Sequence, residues 1–388
     1  MVGAVYLDHN ASTPMDPAVV EGMNDAMLSL WANPSSSEHS AGAKAAEAVE
    51  KAREQIASLI GARPQEIIFC SGSTEANNLA LIGSFPTLQT QMRPHIVSSE
   101  IEHPSILMCL EHLKTLGAET TLVPVGEEGR VNVEDVAAAL KDRTGLVSIM
   151  AANNETGVCQ PIEEIGSLCA DRGIQFHTDY SQAPAYRPLD VVSSDIHMAS
   201  FSGHKMYGPK GIGILYRRLR NPHVHLTPVL RGGGQERGMR SGTPNTPAIV
   251  GLGIAFGEVS NQQSSDVDRL VGLRTLLIRG LSEIPGLKIN GDQGDVLVNT
   301  ISVSIDGIEP LALMRLLRND VIFSASSACS TDKVETSHVL AAMFGDVSRA
   351  RQAFRLGMGR FTTGNEVKRA ISAFENGVRR LRSGLLSH

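Results

Sequence analysis

Short apolar runs alternate with longer amphipathic stretches from residue 16 to about residue 260. The runs have the length of β-strands, whereas the apolar positions of the longer stretches recur with the period of a helix. This alternation predicts an α/β fold with a mainly parallel sheet that helices cover on both faces. The predicted strands are residues 66–70, 95–99, 120–125, 146–152, 173–179, 197–202 and 211–216, and the predicted helices are 40–60, 105–116, 133–141 and 162–172.

The alternation of strands and helices stops near residues 246–271, where the helical pattern of apolar positions continues over a longer stretch. The polar run 261–265 then interrupts the apolar pattern, and we expect a domain boundary near residue 261. A large domain would comprise residues 15–261, and a smaller α/β domain would comprise 1–14 and 262–388. The small domain has predicted strands at 298–305 and 353–358, predicted helices at 309–319, 337–344 and 365–382, and a Ser/Ala-rich loop around Cys329.

Composition narrows the class of protein. The 388 residues are 42% hydrophobic, and the net charge of −6 argues against general binding of nucleic acid or an anionic membrane. The sequence contains no apolar run of the ~18 to 20 residues that span a bilayer, and its first residues do not resemble a secretory signal. The five cysteines are odd in number and lack metal-site spacing, so we expect a reducing, cytoplasmic location.

A lysine and an acid follow two of the predicted strands. Lys205 lies in Phe-Ser-Gly-His-Lys-Met-Tyr-Gly (201–208), and Asp179 ends the strand 173–179. Ligands of parallel sheets bind at the carboxyl ends of the strands. Taken singly, Lys205 could be a surface residue and Asp179 a helix cap. Together they suggest a site for pyridoxal phosphate, which needs a lysine for its aldehyde and an acid for its ring nitrogen.

Other candidate residues follow neighbouring strands. The turn 71–78 opens a helix and offers Ser73 and Thr74 to a phosphate, although helix capping alone would also explain these hydroxyls. His103 follows the strand 95–99, where an imidazole could stack on a cofactor ring and move protons, although a lone histidine is more often structural.

Cys329 lies in a loop of small residues and therefore has no core to fill. A reactive thiol is the better interpretation, whereas Cys70, Cys109 and Cys169 fit buried positions. Arg355 and Arg360 are candidates for bidentate hydrogen bonding to a substrate carboxylate.

With these motifs the chain resembles the cysteine desulfurases of the NifS/IscS type, which are class V aminotransferases with fold type I of the pyridoxal phosphate enzymes. The resemblance runs nearly end to end. Its most specific blocks are residues 202–211, Arg-Ser-Gly-Thr (240–243) and Ser-Ala-Cys (327–329).

The resemblance implies a role for each matching residue. Lys205 would hold the cofactor aldehyde, and Cys329 would accept the sulfur. Asn154 and Arg355 would hold the substrate, L-cysteine. The remaining residues would bind the cofactor: Ser73, Thr74, Ser202 and His204 at its phosphate, joined by Thr243 from the partner of a homodimer, with Asp179 at the ring nitrogen, Gln182 at the ring hydroxyl and His103 stacked on the ring.

The implied reaction removes sulfur from L-cysteine, giving L-alanine and a persulfide on Cys329. The sulfur would pass to an acceptor protein, such as an iron–sulfur scaffold or a thiolation enzyme. A selenocysteine lyase or another class V enzyme is the first alternative, since neither needs Cys329 as a nucleophile. A non-catalytic scaffold of sulfur transfer is the second, and the intact Lys205 and Asp179 argue against it.

Overall fold

The computed structural model describes residues 3–325, 336–345 and 347–384. Its strands, in chain order, are β1 (Val5–Tyr6), β2 (Ile67–Cys70), β3 (His95–Ser99), β4 (Glu119–Val123), β5 (Thr144–Ser148), β6 (Gln175–Asp179), β7 (Met198–Ser202), β8 (Gly213–Arg217), β9 (Leu287–Ile289), β10 (Thr300–Ile305), β11 (Val321–Ile322), β12 (Ser324–Ala325) and β13 (Ala353–Gly357). The α-helices are α1 (Pro17–Ser29), α2 (Ser40–Leu59), α3 (Ser73–Thr90), α4 (Pro104–Thr115), α5 (Val133–Ala139), α6 (Ile162–Asp171), α7 (Thr246–Leu281), α8 (Pro310–Leu317), α9 (His338–Phe344), α10 (Val347–Arg351) and α11 (Gly364–Arg382).

The large sheet of the described chain has seven strands in the order β2-β8-β7-β6-β5-β3-β4. Strands β3 to β7 pair in parallel, whereas β8 is antiparallel to both of its neighbours. The connection from β7 to β8 is too short for the helical crossover that a parallel pair requires. The predicted mainly parallel sheet is therefore confirmed, as is each predicted strand within a few residues of its ends.

Both faces of this sheet are buried. Val97 and Val147 pack into the core on one face, and their neighbours Ile96 and Leu146 pack into the core on the other. Successive side chains of a strand point to opposite faces, so helices must cover the sheet on both sides. The loops that follow the parallel strands then meet at one edge, and that edge carries the candidate site residues.

A four-stranded antiparallel sheet, in the order β12-β13-β10-β9, forms the C-terminal part of the described chain. Near the N-terminus, β1 pairs in parallel with β11, with Val5 opposite Val321. Asp8 then forms a bridge with Gly357 of β13, which brings the first residues of the chain to the C-terminal sheet. It supports the grouping of residues 1–14 with that part, although the proposed division into domains stays a prediction.

Helix α7 runs without interruption through residues 261–265, where the sequence pattern suggested a boundary. The run contains glutamine and serine but no proline or glycine, and such residues cost a helix little. Packing keeps the helix continuous through this run, because α7 contacts α1, α2 and α11 along its length. The polar run is thus the exposed face of a long helix and not a linker.

None of the helices in the described ranges is both long and apolar enough to cross a membrane.

Candidate active site

A cavity of about 240 Å³ lies at the carboxyl edge of the parallel strands. It brings together seven of the residues that the sequence indicated, namely Ser73, His103, Asn154, Asp179, Gln182, Lys205 and Arg355. Their positions are separated by up to 282 residues in the chain, from Ser73 to Arg355 (355 − 73). The common edge of the parallel strands and the adjacent C-terminal sheet bring them into one site.

Lys205 ends the short 3-10 turn Gly203–Lys205, which follows β7 directly. Its Nζ donates to the backbone oxygen of Ala11 at 3.0 Å and also to that of Asn10. The N-terminal segment therefore orients the amine at the cavity. Sequence reasoning missed this segment as part of the site, because backbone oxygens carry no residue-specific signal.

Asp179 ends β6, and its carboxylate accepts three hydrogen bonds. Oδ1 accepts from the backbone N–H of Ser181 at 3.0 Å and from the Ser181 hydroxyl, and Oδ2 accepts from Asn77 Nδ2 at 2.8 Å. Asn77 is fully buried in the first turns of α3. The carboxylate is thus held in one orientation by groups on two different elements, and neither Asn77 nor Ser181 was identified from the sequence.

A second cavity, of about 370 Å³, shares Ser73 with the first. Thr74, Ser202 and His204 line it together with Lys210 and the N-terminus of α3. Hydroxyls, unpaired helical N–H groups and a lysine suit a phosphate.

The turn into α3 reaches this cavity through a close backbone approach. A Cβ atom on Gly213 would lie 2.7 Å from the Cα of Gly72, so only glycine lets β8 approach the turn so closely. Burial, together with the charges of Lys205 and Lys210, lowers the pKa of the nearby His204 to about 4. His204 is therefore neutral at pH 7, and Lys210 is the cation that this wall of the cavity offers.

Arg355 lies in β13 and reaches the first cavity from the C-terminal sheet. Nη1 donates to the backbone oxygen of Asn154 at 2.8 Å, and Nη2 donates to Asp8 Oδ1 at 2.9 Å. Nε is buried and has no partner among the described residues. The guanidinium is therefore oriented by the protein while it retains a donor for a ligand.

Arg360, the other arginine candidate, is not available to a substrate. Its Nη1 binds Asp16 at 2.8 Å and its Nε binds Asp266 at 2.7 Å. The guanidinium also lies over the ring of Tyr207. Two carboxylates and an aromatic face occupy this arginine, so its role is to join α1, α7 and the segment after β13.

Gln182 exchanges hydrogen bonds with Asn10, which also binds the hydroxyl of Thr300 at 2.7 Å. Thr243 is exposed and lines neither cavity of the described chain. Arg240 of the same motif binds Glu75 at 2.9 Å in the first turn of α3. The motif thus lies beside the phosphate-sized cavity without contributing Thr243 to it.

Cys329 lies outside the described residues. The described chain on either side of the gap reaches the first cavity or its wall. Ser324 and Ala325 line the cavity, and the Ser337 hydroxyl donates to Glu155 at 2.6 Å. His338 binds the backbone oxygen of Glu102 at 3.0 Å.

The four cysteines among the described residues are buried and form no disulfide. Burial raises the pKa of Cys109 and Cys159 to about 11 and that of Cys169 to about 12, and it raises the pKa of Cys70 well above its usual value. These thiols are protonated at neutral pH, so they are poor nucleophiles.

Two buried acids lie in the wall beside the first cavity. Burial raises the pKa of Glu155 to about 7, although its bond from Ser337 and the nearby Arg355 act against the rise. Burial also raises the pKa of Glu102 to about 8, and the charge of Asp179 adds to the effect. Glu102 Oε1 accepts from Ser99 and Met150, whereas its buried Oε2 has no partner in the described chain.

Glu102→Gln is expected to stabilise the protein at pH 8 more than at pH 5. The folded protein favours protonated Glu102, so the contribution of this group is full below pH 4.5 and is lost as the pH rises through about 8. Glutamine keeps the neutral form at every pH. Because one pKa unit corresponds to about 1.4 kcal/mol, we expect the variant to gain a few kcal/mol in the free energy of unfolding at pH 8.

Urea unfolding of both proteins at the two pH values measures this difference. Glu47→Gln, at an exposed position of α2, is the control and should shift stability equally at pH 5 and pH 8. An equal shift for Glu102→Gln would mean that the Glu102 carboxylate is ionised in the folded protein despite its burial.

Comparison with known proteins agrees with the fold. Residues 5–370 match the family described as aminotransferase class V. "Cysteine desulfurase IscS" of Rickettsia bellii is 41% identical over 97% of this chain and 92% of its own length.

Two solved structures are also similar. A "NIFS-like protein" is 35% identical with a TM-score of 0.90, and the match covers 97% of this chain and 99% of that one. "SspA in complex with cysteine" is 34% identical with a TM-score of 0.80, over 93% of this chain and 100% of that one. The expected fold is thus confirmed, and the chain belongs to the class V aminotransferases, in their group of cysteine desulfurases of the NifS/IscS type.

Proposed function

We propose that this protein uses pyridoxal phosphate to remove sulfur from L-cysteine, giving L-alanine and a persulfide on Cys329. One observation carries the proposal: Lys205, Asp179 and Arg355 line a single cavity that adjoins a second cavity suited to a phosphate. An amine, a carboxylate and a guanidinium in this arrangement match an aldehyde, a pyridine nitrogen and an amino-acid carboxylate.

The residues present fit the cofactor. Ser73, Thr74, Ser202 and His204 would bind the phosphate with the N-terminus of α3, and neutral His204 would act as a hydrogen-bond donor and not as a cation. Lys205 would bind the aldehyde carbon, and Gln182 would bind the ring hydroxyl. Asp179, held by Ser181 and Asn77, would keep the ring nitrogen protonated. When bound, pyridoxal phosphate supplies an electron sink for the bonds broken at the substrate.

Arg355 and Asn154 would hold the substrate in the same cavity. The guanidinium already donates to Asp8 and to the backbone of Asn154, and its buried Nε remains for the carboxylate of L-cysteine. With the carboxylate fixed, the Cα–H bond of the substrate would face Lys205. The Lys205 amine is then the base that takes the Cα proton.

Cys329 would accept the sulfur. Each of the four described cysteines is buried with a raised pKa, which leaves Cys329 as the candidate nucleophile. It follows Ala325 of the cavity wall by four residues, and four residues of extended chain span at most about 14 Å. Its thiolate would attack the substrate sulfur. The S–S bond forms, the Cβ–S bond breaks, and its electron pair stays with carbon, which takes a proton to become the methyl group of alanine.

The overall reaction is balanced without a further reductant, since L-cysteine and the enzyme thiol give L-alanine and the enzyme persulfide. The persulfide would then be passed to a sulfur-acceptor protein.

We also propose that the protein is cytoplasmic and forms a homodimer. Thr243 would bind the cofactor phosphate of the partner subunit, because it is exposed and lies outside both cavities of its own chain.

The direct test incubates the holoenzyme with L-cysteine and a thiol reductant and measures both products. Equal amounts of alanine and sulfide support the proposal. The same assay with L-selenocysteine separates the first alternative, because a selenocysteine lyase would turn over that substrate and leave L-cysteine unchanged. A protein that binds no cofactor, and therefore remains colourless, would be a scaffold.

Asp179→Asn is expected to retain the cofactor and to lose most of the turnover. A neutral amide cannot hold the ring nitrogen in its charged form, and a loss of about 3 kcal/mol in stabilisation slows a step about a hundredfold. The absorbance of the bound cofactor measures binding, and alanine formation measures turnover. A rate equal to that of the parent protein would reduce Asp179 to a structural role.

A further inference from the structure

A chain of hydrogen bonds connects Asp179 to His103 through Asn77 and Ser105. Asn77 Nδ2 lies 2.8 Å from Asp179 Oδ2 and 2.9 Å from Ser105 Oγ. Ser105 then makes two contacts to His103 Nδ1, from its hydroxyl oxygen at 2.8 Å and from its backbone nitrogen at 3.1 Å. Asn77 is fully buried and Ser105 nearly so.

The directions of these bonds follow from the atoms involved. A carboxylate only accepts, so the amide group of Asn77 that faces Asp179 must be its NH₂. The same NH₂ group donates to the hydroxyl of Ser105. A backbone N–H only donates, so His103 Nδ1, which receives the N–H of Ser105, carries no proton. The hydroxyl proton of Ser105 must therefore also point to Nδ1.

The single proton of the neutral His103 ring is then on Nε2. Adding a proton to Nδ1 would lose the bond from the Ser105 N–H, and it would turn the hydroxyl proton of Ser105 away from its one acceptor in the described chain. Burial lowers the pKa of His103, as do the charges of Lys205 and His338, whereas Asp179 raises it. The lowered pKa agrees with the geometry, since both keep the ring neutral near pH 7.

We propose that Asn77 and Ser105 are positioning residues that lock His103 as a neutral hydrogen-bond donor, with its proton on Nε2. This inference rests on the proposed function for its meaning in catalysis. A nitrogen that already carries a proton cannot accept another, and Nδ1 is occupied by Ser105. His103 would therefore orient the cofactor or substrate through Nε2–H, and it would not serve as the base for the substrate thiol. The sequence had suggested a proton-moving role for this residue.

Helix capping is the competing explanation, because His103 is the N-cap of α4 and its Nδ1 receives the N–H of Ser105. A cap requires only that one bond. It requires neither the Ser105 hydroxyl nor the link through Asn77 to the carboxylate of Asp179. Variants of the hydroxyl therefore separate the two explanations.

The first experiment records the ring nitrogens of His103 by NMR in holoenzyme labelled with ¹⁵N-histidine, and it assigns them by their loss in His103→Gln. We expect Nδ1 without a proton and Nε2 with one from pH 7 to pH 9, and titration to lower pH gives the pKa of His103. In Ser105→Ala the pKa of His103 should rise by about half to one unit, because the neutral ring loses one hydrogen bond. Ser105→Thr keeps the hydroxyl and should keep the parent pKa.

A proton on Nδ1, or a ring that is charged at pH 7, would overturn the proposal. An unchanged pKa in Ser105→Ala would overturn it as well and would leave only the cap. These readouts do not depend on turnover, so they remain valid even if the protein makes no alanine from L-cysteine. Failure of the proposed function and failure of this inference are thus distinguishable.

The second experiment compares alanine formation by His103→Gln and His103→Phe. Glutamine places an amide N–H near the position of Nε2 but cannot act as a base at neutral pH, whereas phenylalanine keeps only the flat ring. We expect His103→Gln to be at least about tenfold faster than His103→Phe. That factor is the change in rate expected from one hydrogen bond in a buried site. Equal and severe losses in both variants would instead assign proton transfer to His103.

Discussion

Lys205→Ala is expected to abolish the formation of alanine and sulfide from L-cysteine, to below about 0.1% of the parent rate. The variant loses both the amine that binds the cofactor aldehyde and the base that takes the Cα proton. Lys205 Nζ is held at the cavity by the backbone oxygens of Asn10 and Ala11, and water admitted by the truncation would not be held in that geometry. Product formation is measured directly, and covalent attachment is measured by borohydride reduction followed by mass analysis of the peptide.

Lys205→Arg is the matched control for the charge. It keeps a cation beside the two backbone oxygens, but a guanidinium does not form the bond to an aldehyde and is not a base at neutral pH. Both variants should therefore be inactive, and borohydride should leave the cofactor unattached to the chain in both. Turnover at the parent rate in either variant would remove Lys205 from the reaction and with it the proposed arrangement of the site.

Cys329→Ser is expected to stop the reaction after the substrate has bound. A serine hydroxyl cannot accept sulfur, yet the two cavities and their residues are unchanged. The variant should bind pyridoxal phosphate, and addition of L-cysteine should still shift the absorbance of the bound cofactor. Alanine, sulfide and persulfide should fall by a factor on the order of a thousand or more, as expected for loss of a nucleophile. Mass spectrometry of the intact protein detects the persulfide as an added sulfur atom.

Alkylation provides the control for this assignment. The four described cysteines are buried with raised pKa values, so brief treatment of the parent protein with iodoacetamide at pH 7 should modify Cys329 and spare the other four. Cys329→Ser should then take up no label. If the variant released sulfide at the parent rate, Cys329 would be a structural residue and a lyase mechanism would replace the persulfide one.

The positions of Lys205 and Asp179 could be predicted because each follows a buried parallel strand. The strands β6 and β7 are neighbours, so their carboxyl ends meet, and Asp179 and Lys205 line the same cavity. Residue type then indicated the chemistry. The same reasoning placed His103 after β3 and the turn 71–78, with Ser73 and Thr74, after β2.

Other features of the site and the fold could not be predicted, because no local pattern of the sequence indicates them. Asn77 looks like an ordinary residue of the first turns of α3, and only the packing of α3 against α4 and β6 aims its amide at Ser105 and Asp179. Arg355 and Arg360 are five residues apart, and only the family resemblance favoured Arg355. In the structure Arg355 lines the cavity, whereas Arg360 is bound by Asp16 and Asp266. The polar run at 261–265 interrupts the apolar pattern of the sequence, and in the structure it is the surface of helix α7.

The secondary structure, the mainly parallel sheet and the kind of chemistry could be predicted before folding was considered, because periodicity, turn residues and reactive side chains are local properties of the chain. Tertiary structure alone decided which arginine is available, which atoms orient Lys205 and Asp179, and on which nitrogen His103 carries its proton. Those properties depend on atoms that are distant in sequence and meet only after folding. The carbonyl oxygens of Asn10 and Ala11 reach Lys205 in this way, although nearly 200 residues of chain separate them.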